Sequence, residues 1–238
     1  MTKGALLYSG KAKTVFLSEK PDELIVSFRD DITAFDGGKK DQLKGKGASN
    51  AKVSAFLFRL LEEAGVKTHL IHMEDPTTMR VHKLSMIPLE VIVRNRAAGS
   101  IVRNYPFTEG QTFHPPIIVT DYKDDTRHDP MINDDIIIAL GLLTREEIRI
   151  VKESALKVNT VLKSFFEGIG LDLVDFKIEY GRSRDGIMLG DEISMDSMRL
   201  WEKGTMKSMD KDVYRFEKGD VMETYNAVLN RICGSEDL

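Results

Sequence analysis

The run from Leu171 to Ile193 carries the sharpest pattern of the chain. Val174, Phe176, Ile178 and Tyr180 alternate with Asp175, Lys177 and Glu179. A period of two predicts a strand with one apolar face and one face of acid, base, acid. Gly181 and Asp185-Gly186 mark a turn, and IMLGDEI reads as the return strand of a hairpin. Pairing Asp191 opposite Lys177 makes Asp191 and Glu179 diagonal neighbours on the charged face. Helical spacing appears elsewhere. Val53, Phe56, Leu57, Leu60 and Leu61 predict a helix over 51–64, ended by Gly65. Thr144 opens the longest helix, and Glu147 completes a capping box. Its inner face uses Ile148, Val151, Ala155, Val158, Val161, Leu162, Phe165 and Phe166, with Gly168 and Gly170 stopping it. A last helix is expected over 221–232.

Short apolar runs predict strands over 5–9, 13–17, 24–29, 68–73, 79–84 and 89–93. Residues 30–46, rich in Asp, Gly and Lys, read as a functional loop. Residues 107–135, with Pro115-Pro116 and a polar run, read as loop-rich, and 194–220 as a polar, Met-rich segment. Strands dominate early and helices mix in later. The expected fold is therefore α+β: a mainly antiparallel N-terminal lobe, 1–85, packed on a larger mixed α/β C-terminal lobe, 86–238.

The chain has 238 residues, 42% hydrophobic and 30% charged, with a net charge of −4. That balance suits a globular protein and argues against broad nucleic-acid binding, which needs a basic face. Cys233 is the one cysteine, so no internal disulfide forms and a cytoplasmic location is expected. The start lacks the long apolar core of a signal peptide, and no apolar run reaches the length of a membrane span.

The hairpin acids have two readings. Two carboxylates plus a lysine suit Mg²⁺ carrying a polyphosphate; a solvated outer face with cross-strand ion pairs is the alternative. Gly10-Lys11-Ala12-Lys13-Thr14 is not a Walker motif, because Ala5 stands where a glycine is required. It reads as a strand–turn–strand lid with Lys11 and Lys13 pointing the same way over phosphates, or as a solvated turn. An apolar strand, 87–93, delivers Arg94 and Arg96, followed by a small-residue turn and a short helix near Ser100. Guanidiniums, a hydroxyl and backbone N–H groups make a phosphate or carboxylate cradle. A structural pair between Arg94 and Glu90, or another acid, is the other reading. In His128-Asp129-Pro130 the proline predicts an extended Asp129. Asp36 sits in a Gly- and Lys-rich loop able to approach a ligand.

Taken together, GKAKTVF, IPLEVIVRNRAAGS, HDPM, LVDFKIEYG, LGDEIS, RLW and KDVYR, in this order along the chain, resemble the signature segments of the SAICAR synthetases. The resemblance covers essentially the whole chain. Met195 and Met198 depart from the residues common at those places. What the resemblance implies is an ATP-dependent ligase of purine synthesis that joins carboxyaminoimidazole ribonucleotide (CAIR) to L-aspartate. It implies an N-terminal lobe akin to kinase and ATP-grasp lobes, a homodimer, and ATP and Mg²⁺ as cofactors. Carried over by motif, Lys11, Ala12, Lys13, Val15, Met86 and Lys123 contact the nucleotide. Glu179 and Asp191 hold Mg²⁺. Arg94, Ser100 and Arg199 grip the 5′-phosphate, and Asp36, Asp129, Lys177 and Arg215 lie near the reacting groups.

Overall fold

The computed structural model describes residues 4–35 and 37–234. The first half contains β1 (Leu6–Ser9), β2 (Lys13–Leu17), β3 (Glu23–Phe28), β4 (Asp31–Ala34), β5 (Lys39–Gln42), α1 (Lys46–Glu63), β6 (Leu70–Asp75) and β7 (Thr78–His82). Five of these strands form one antiparallel sheet in the order β1-β2-β3-β7-β6. The second half contains β8 (Ser85–Arg96), α2 (Ser100–Asn104), β9 (Thr112–Tyr122), α3 (Asp134–Ala139), α4 (Arg145–Gly168), β10 (Leu171–Ser183), β11 (Gly186–Gly190), β12 (Met198–Glu202), α5 (Asp212–Arg215) and α6 (Val221–Cys233). Here the sheet order is β9-β8-β10, and the far edge of β10 is shared between β12 and β11. Every named ladder in both sheets is antiparallel. The α+β expectation holds.

Four segments differ from their sequence reading. Residues 31–42 are a hairpin, β4–β5, rather than a loop. Within the expected loop at 107–135 lies the eleven-residue strand β9. Its β-branched run Ile117-Ile118-Val119-Thr120 is a strand signal that Pro115-Pro116 masked. The same stretch opens α3, where the Asn133 side chain accepts from the Ile136 N–H. β12 and α5 occupy part of the segment expected to be polar coil. Helix α1 starts at Lys46, five residues before its expected start. Its first turn is buried without being apolar. A Cβ on Gly47 would lie 2.9 Å from the Phe28 carbonyl, and the buried Lys46 ammonium reaches Asp196 at 2.7 Å.

One apolar core runs through both halves, from Val26 and Phe28 across α1 to Val93, Phe176 and Ile178. Helix α4 covers the inner face of β10, as its stripe predicts. The capping box of Thr144 and Glu147 is formed. The halves also meet through main chain. His69 N–H donates to the Leu189 carbonyl at 2.9 Å, and Leu189 N–H donates to the Lys67 carbonyl at 3.0 Å. Among the described residues no helix is long and apolar enough to cross a membrane.

Candidate active site

The register of three strands builds the site. Glu90, Ile92 and Arg94 of β8 pair with Glu179, Lys177 and Asp175 of β10, and with Asp121, Val119 and Ile117 of β9. Directly opposed residues share a face. One face of this sheet therefore carries charges at both ends, with Ile92, Val119 and Lys177 in its middle row. The other face presents Leu89, Val91, Val93, Phe176 and Ile178 to the core. Both faces of β10 are largely buried: Asp175 and Glu179 are each only 3% exposed. The reading of a solvated outer face is thus overturned.

At one end, acids outnumber bases. Lys177 Nζ meets Glu90 at 2.5 Å and Glu179 at 3.5 Å. Lys123 Nζ donates to both oxygens of Glu179, at 2.5 and 2.6 Å. Lys13 Nζ reaches Asp191 at 2.6 Å and Glu192 at 2.9 Å. The expected register was one step off. Glu179 faces Gly190, which in a regular ladder would send Asp191 to the opposite face. Instead Asp191 leaves the ladder with φ 57°, and its carboxylate stays in this cluster. Burial and the neighbouring Asp191 push the Glu179 carboxyl up. Burial also opposes ionisation of Asp191, but Lys13, Lys123 and Lys177 outweigh it and hold that carboxyl well below its usual range. The same acids raise Lys13 and Lys177 despite burial. Asp121 adds a fifth carboxylate, pushed up to about 6 by burial and Glu90.

At the other end the balance reverses. Arg94 donates to Asp175 at 2.6 Å, to Ser100 Oγ at 3.0 Å and to the Ala98 carbonyl at 3.2 Å. Arg199 donates to Asp175 at 2.9 Å through Nη1 and to Asp212 at 2.9 Å through Nε, and Arg215 donates to the same Asp212 at 2.5 Å. Arg94, Ser100, Arg199 and Arg215 are therefore brought together. The acid beside Arg94 is Asp175, not Glu90. Gly99, at φ 66°, lets Arg199 lie on its backbone; a Cβ there would fall 2.5 Å from Nη2. Fully buried Asp210, which accepts from the Leu200 and Asp212 N–H groups, is pushed up to about 7 by burial and Asp212.

The remaining expected residues are less concentrated. Lys11 and Lys13 do not act as a pair: exposed Lys11 meets Asp125 at 2.9 Å, while Lys13 turns into the acid cluster. Around Lys11, Arg29 and Lys40 lies a polar cavity of about 420 Å³. Ala12 and Val15 are half-buried, and Val15 packs against the core. Met86 is exposed and rests over glycines of β10 and β11, since Cβ atoms on Gly181 and Gly190 would lie 3.1 and 3.4 Å from its sulfur. Asp129 is not extended: its φ is 45°, and its carboxylate accepts from the Asp124 N–H at 2.7 Å. The run of polar turn residues around it overrides the preference set by Pro130. His128 is exposed. Asp36 lies outside the described residues.

Asp121 and Glu192 were not singled out from sequence, and Asp175 and Asp212 were noted there only as strand-face and surface charge. Asp175 and Glu192 sit inside the motifs already noted, and Asp121 was hidden with its strand. No group of three or more His, Cys, Asp or Glu among the described residues is arranged to hold a metal by itself. A magnesium ion that arrives on nucleotide phosphates needs only one or two carboxylates. Buried Glu179 and half-buried Asp191, in a cluster of net negative charge, have the hard oxygen donors that such an ion requires.

Comparison with known proteins gives the family. The family model for SAICAR synthetase matches residues 6–232. The phosphoribosylaminoimidazole-succinocarboxamide synthase of Methanoregula boonei is 63% identical, over 98% of this chain and 91% of its own. That of Methanoculleus marisnigri is 60% identical, over 95% and 94%. A solved SAICAR synthetase in complex with ADP superposes with a TM-score of 0.94 at 46% identity, over 98% of this chain and all of the other. This chain belongs to the SAICAR synthetase family.

Proposed function

We propose that the chain is an ATP-dependent ligase that joins CAIR to L-aspartate, giving SAICAR, ADP and phosphate. One observation carries this reading. A single sheet face ends in a surplus of positive charge at Arg94 and a surplus of negative charge at Glu90 and Glu179. Four residues of extended chain separate them, roughly 13 Å. That span suits a nucleoside monophosphate, with its phosphate on the arginines and its far end at the acids. Ile92 and Val119 floor the space between, beside Lys177.

In this reading residues 1–85 form the nucleotide lobe and 86–238 the substrate and metal lobe. Lys11, Ala12, Val15, Met86 and Lys123 take up ATP. Arg94, Ser100, Arg199 and Arg215 hold the 5′-phosphate of CAIR. Mg²⁺ held by Glu179 and Asp191 would offset phosphate charge. A carboxylate does not react with an amine at neutral pH, so it must first be activated. Phosphorylation makes an acyl phosphate, but it presses two anions together. At about 4 Å and an effective dielectric of 20, two unit charges repel by roughly 4 kcal/mol. Lys177, held charged by Glu179 and Glu90, stands where it offsets that repulsion. The ammonium of aspartate then loses a proton before it attacks, to Asp129 or to the departing phosphate, with Asp36 assigned by resemblance alone. A homodimer in the cytoplasm belongs to the same proposal.

ADP release, measured with each substrate omitted in turn, tests it. Strict dependence on both CAIR and aspartate is expected. Release with CAIR alone would mark a kinase and overturn the ligase reading.

A further inference from the structure

His69 lies between the two sheets, one residue before β6, and no step above uses it. Three observations single it out. It is buried, at 5% exposure, edge-on to Phe58 with ring centroids 5.2 Å apart. Its Nε2 has no partner. The main chain of Asp191 lies within hydrogen-bonding reach of its ring. A phenylalanine or leucine would fill this space without leaving a polar atom unsatisfied. The bond to Asp191 is what a histidine adds.

That bond falls at a strained point. Asp191 has φ 57°, a region that residues other than glycine seldom occupy. Such a conformation persists only where its surroundings over-determine it. The ladder supplies one restraint through Glu179 and Gly190, and Lys13 supplies another through the carboxylate at 2.6 Å. Both act beside the peptide that turns the Asp191 side chain back onto the charged face. The His69 ring meets that peptide itself, and its own place is set by the main-chain bond to Leu189, two residues before Asp191.

We propose that His69 is a positioning residue for the metal end of the site, clamping the Asp191 main chain in its left-handed bend so that the carboxylate points at the cation. The proposal rests on the reading of Asp191 as a magnesium ligand. A donor that orients a ligating carboxylate typically changes metal affinity by 10–100-fold when removed.

The test compares His69→Leu, which fills the space without a donor, with His69→Asn, which keeps an N–H near the position of Nδ1. Mg²⁺ affinity is measured at saturating ADP by calorimetry, beside the melting temperature and the affinity for CAIR. The expected result is about a tenfold or greater loss of Mg²⁺ affinity in His69→Leu, substantial recovery in His69→Asn, and little change in CAIR affinity. Unchanged Mg²⁺ affinity in His69→Leu overturns the proposal, as does an equal loss in both variants that tracks their melting temperatures. Asp191→Asn is the control. If it too leaves Mg²⁺ affinity unchanged, the metal reading falls and this proposal with it; if it alone loses affinity, only the role of His69 falls. Should His69→Leu not fold, ¹⁵N NMR of the wild-type ring decides: Nδ1 protonation supports the clamp, and an Nε2–H tautomer overturns it.

Discussion

The two ends of the sheet face are built from the same kind of part, the buried ion pair, and differ in what is left after pairing. At the arginine end three guanidiniums share two carboxylates, Asp175 and Asp212. At the lysine end three ammoniums share five carboxylates: Glu90, Asp121, Glu179, Asp191 and Glu192. Buried pairs by themselves are weak evidence for either stability or function, because desolvation consumes most of the Coulombic gain. The residual charge is informative. A surplus cation in a rigid network is ready for phosphate, and a surplus of acids is ready for a divalent ion. The chemistry of the ligands also differs: planar arginine forks hold a phosphate in a set direction, whereas lysines act as point charges that shift with the reacting groups.

Removing charge from the acidic end has the largest expected effect. Asp191→Asn leaves Lys13 paired with Glu192 but removes half of the proposed metal pair. Turnover is expected to fall on the order of 10²–10³-fold, with the CAIR KM nearly unchanged. A near-normal rate at saturating Mg²⁺ would show that the two ends do not divide the work as described. Arg199→Leu sharpens the comparison from the other side. Asp175 keeps Arg94 and Asp212 keeps Arg215, so the fold is not left with an unpaired buried acid. A charge-assisted hydrogen bond is worth about 1.5–3 kcal/mol, so the CAIR KM should rise roughly 10–150-fold. Turnover at saturation should change little.

Gly99→Ala should give a weaker copy of that phenotype without altering any charge. The added methyl would lie 2.5 Å from Arg199 Nη2, on a residue whose φ of 66° already disfavours a side chain. A rise of about tenfold in the CAIR KM, with aspartate kinetics unchanged, is the expected steady-state result. An unchanged KM would mean that the cradle tolerates displacement of Arg199, and that its geometry is less rigid than its pairing suggests.

How much of this was legible beforehand depends on how each residue signals itself. Period-two alternation marked β10, and helical spacing with a capping box marked α4, because those patterns follow from burying one face. The cradle was legible because Arg94 follows an apolar strand with no local partner. The start of α1 was not, since Lys46, Ser49 and Asn50 are polar residues that are nonetheless buried, which no hydropathy pattern encodes. Neither was β9, where a proline pair outweighed a β-branched run. The bend at Asp191 was also hidden. It depends on His69 and Lys13, which are more than a hundred residues distant in the chain, so local propensity gives no hint of it.

The smallest expected effect concerns Asp121, the acid that the lysine end carries without a hydrogen-bonding partner among the described residues. Its ordinary value of 3.8 is raised to about 6, first by burial and then by Glu90. The sign follows directly. Between those values the folded chain holds a proton that the unfolded chain releases, so folding is favoured below 3.8 and loses that contribution as pH rises through 6. Above pH 6 the ionised carboxylate is a standing cost to the fold. Asp121→Asn removes it. Water screens a half-exposed group, so a relief of about 1 kcal/mol is a fair magnitude, well under the full shift. For a chain of this size that moves Tm up by roughly 2–4 °C at pH 7.5, with no gain near pH 4. Thermal melts of both proteins across that range check it. A gain that persists at pH 4 would assign the effect to something other than charge. No gain at pH 7.5 would mean that Arg94 and Lys177 neutralise Asp121 fully, and the acid surplus at that end would shrink to Glu90, Glu179, Asp191 and Glu192.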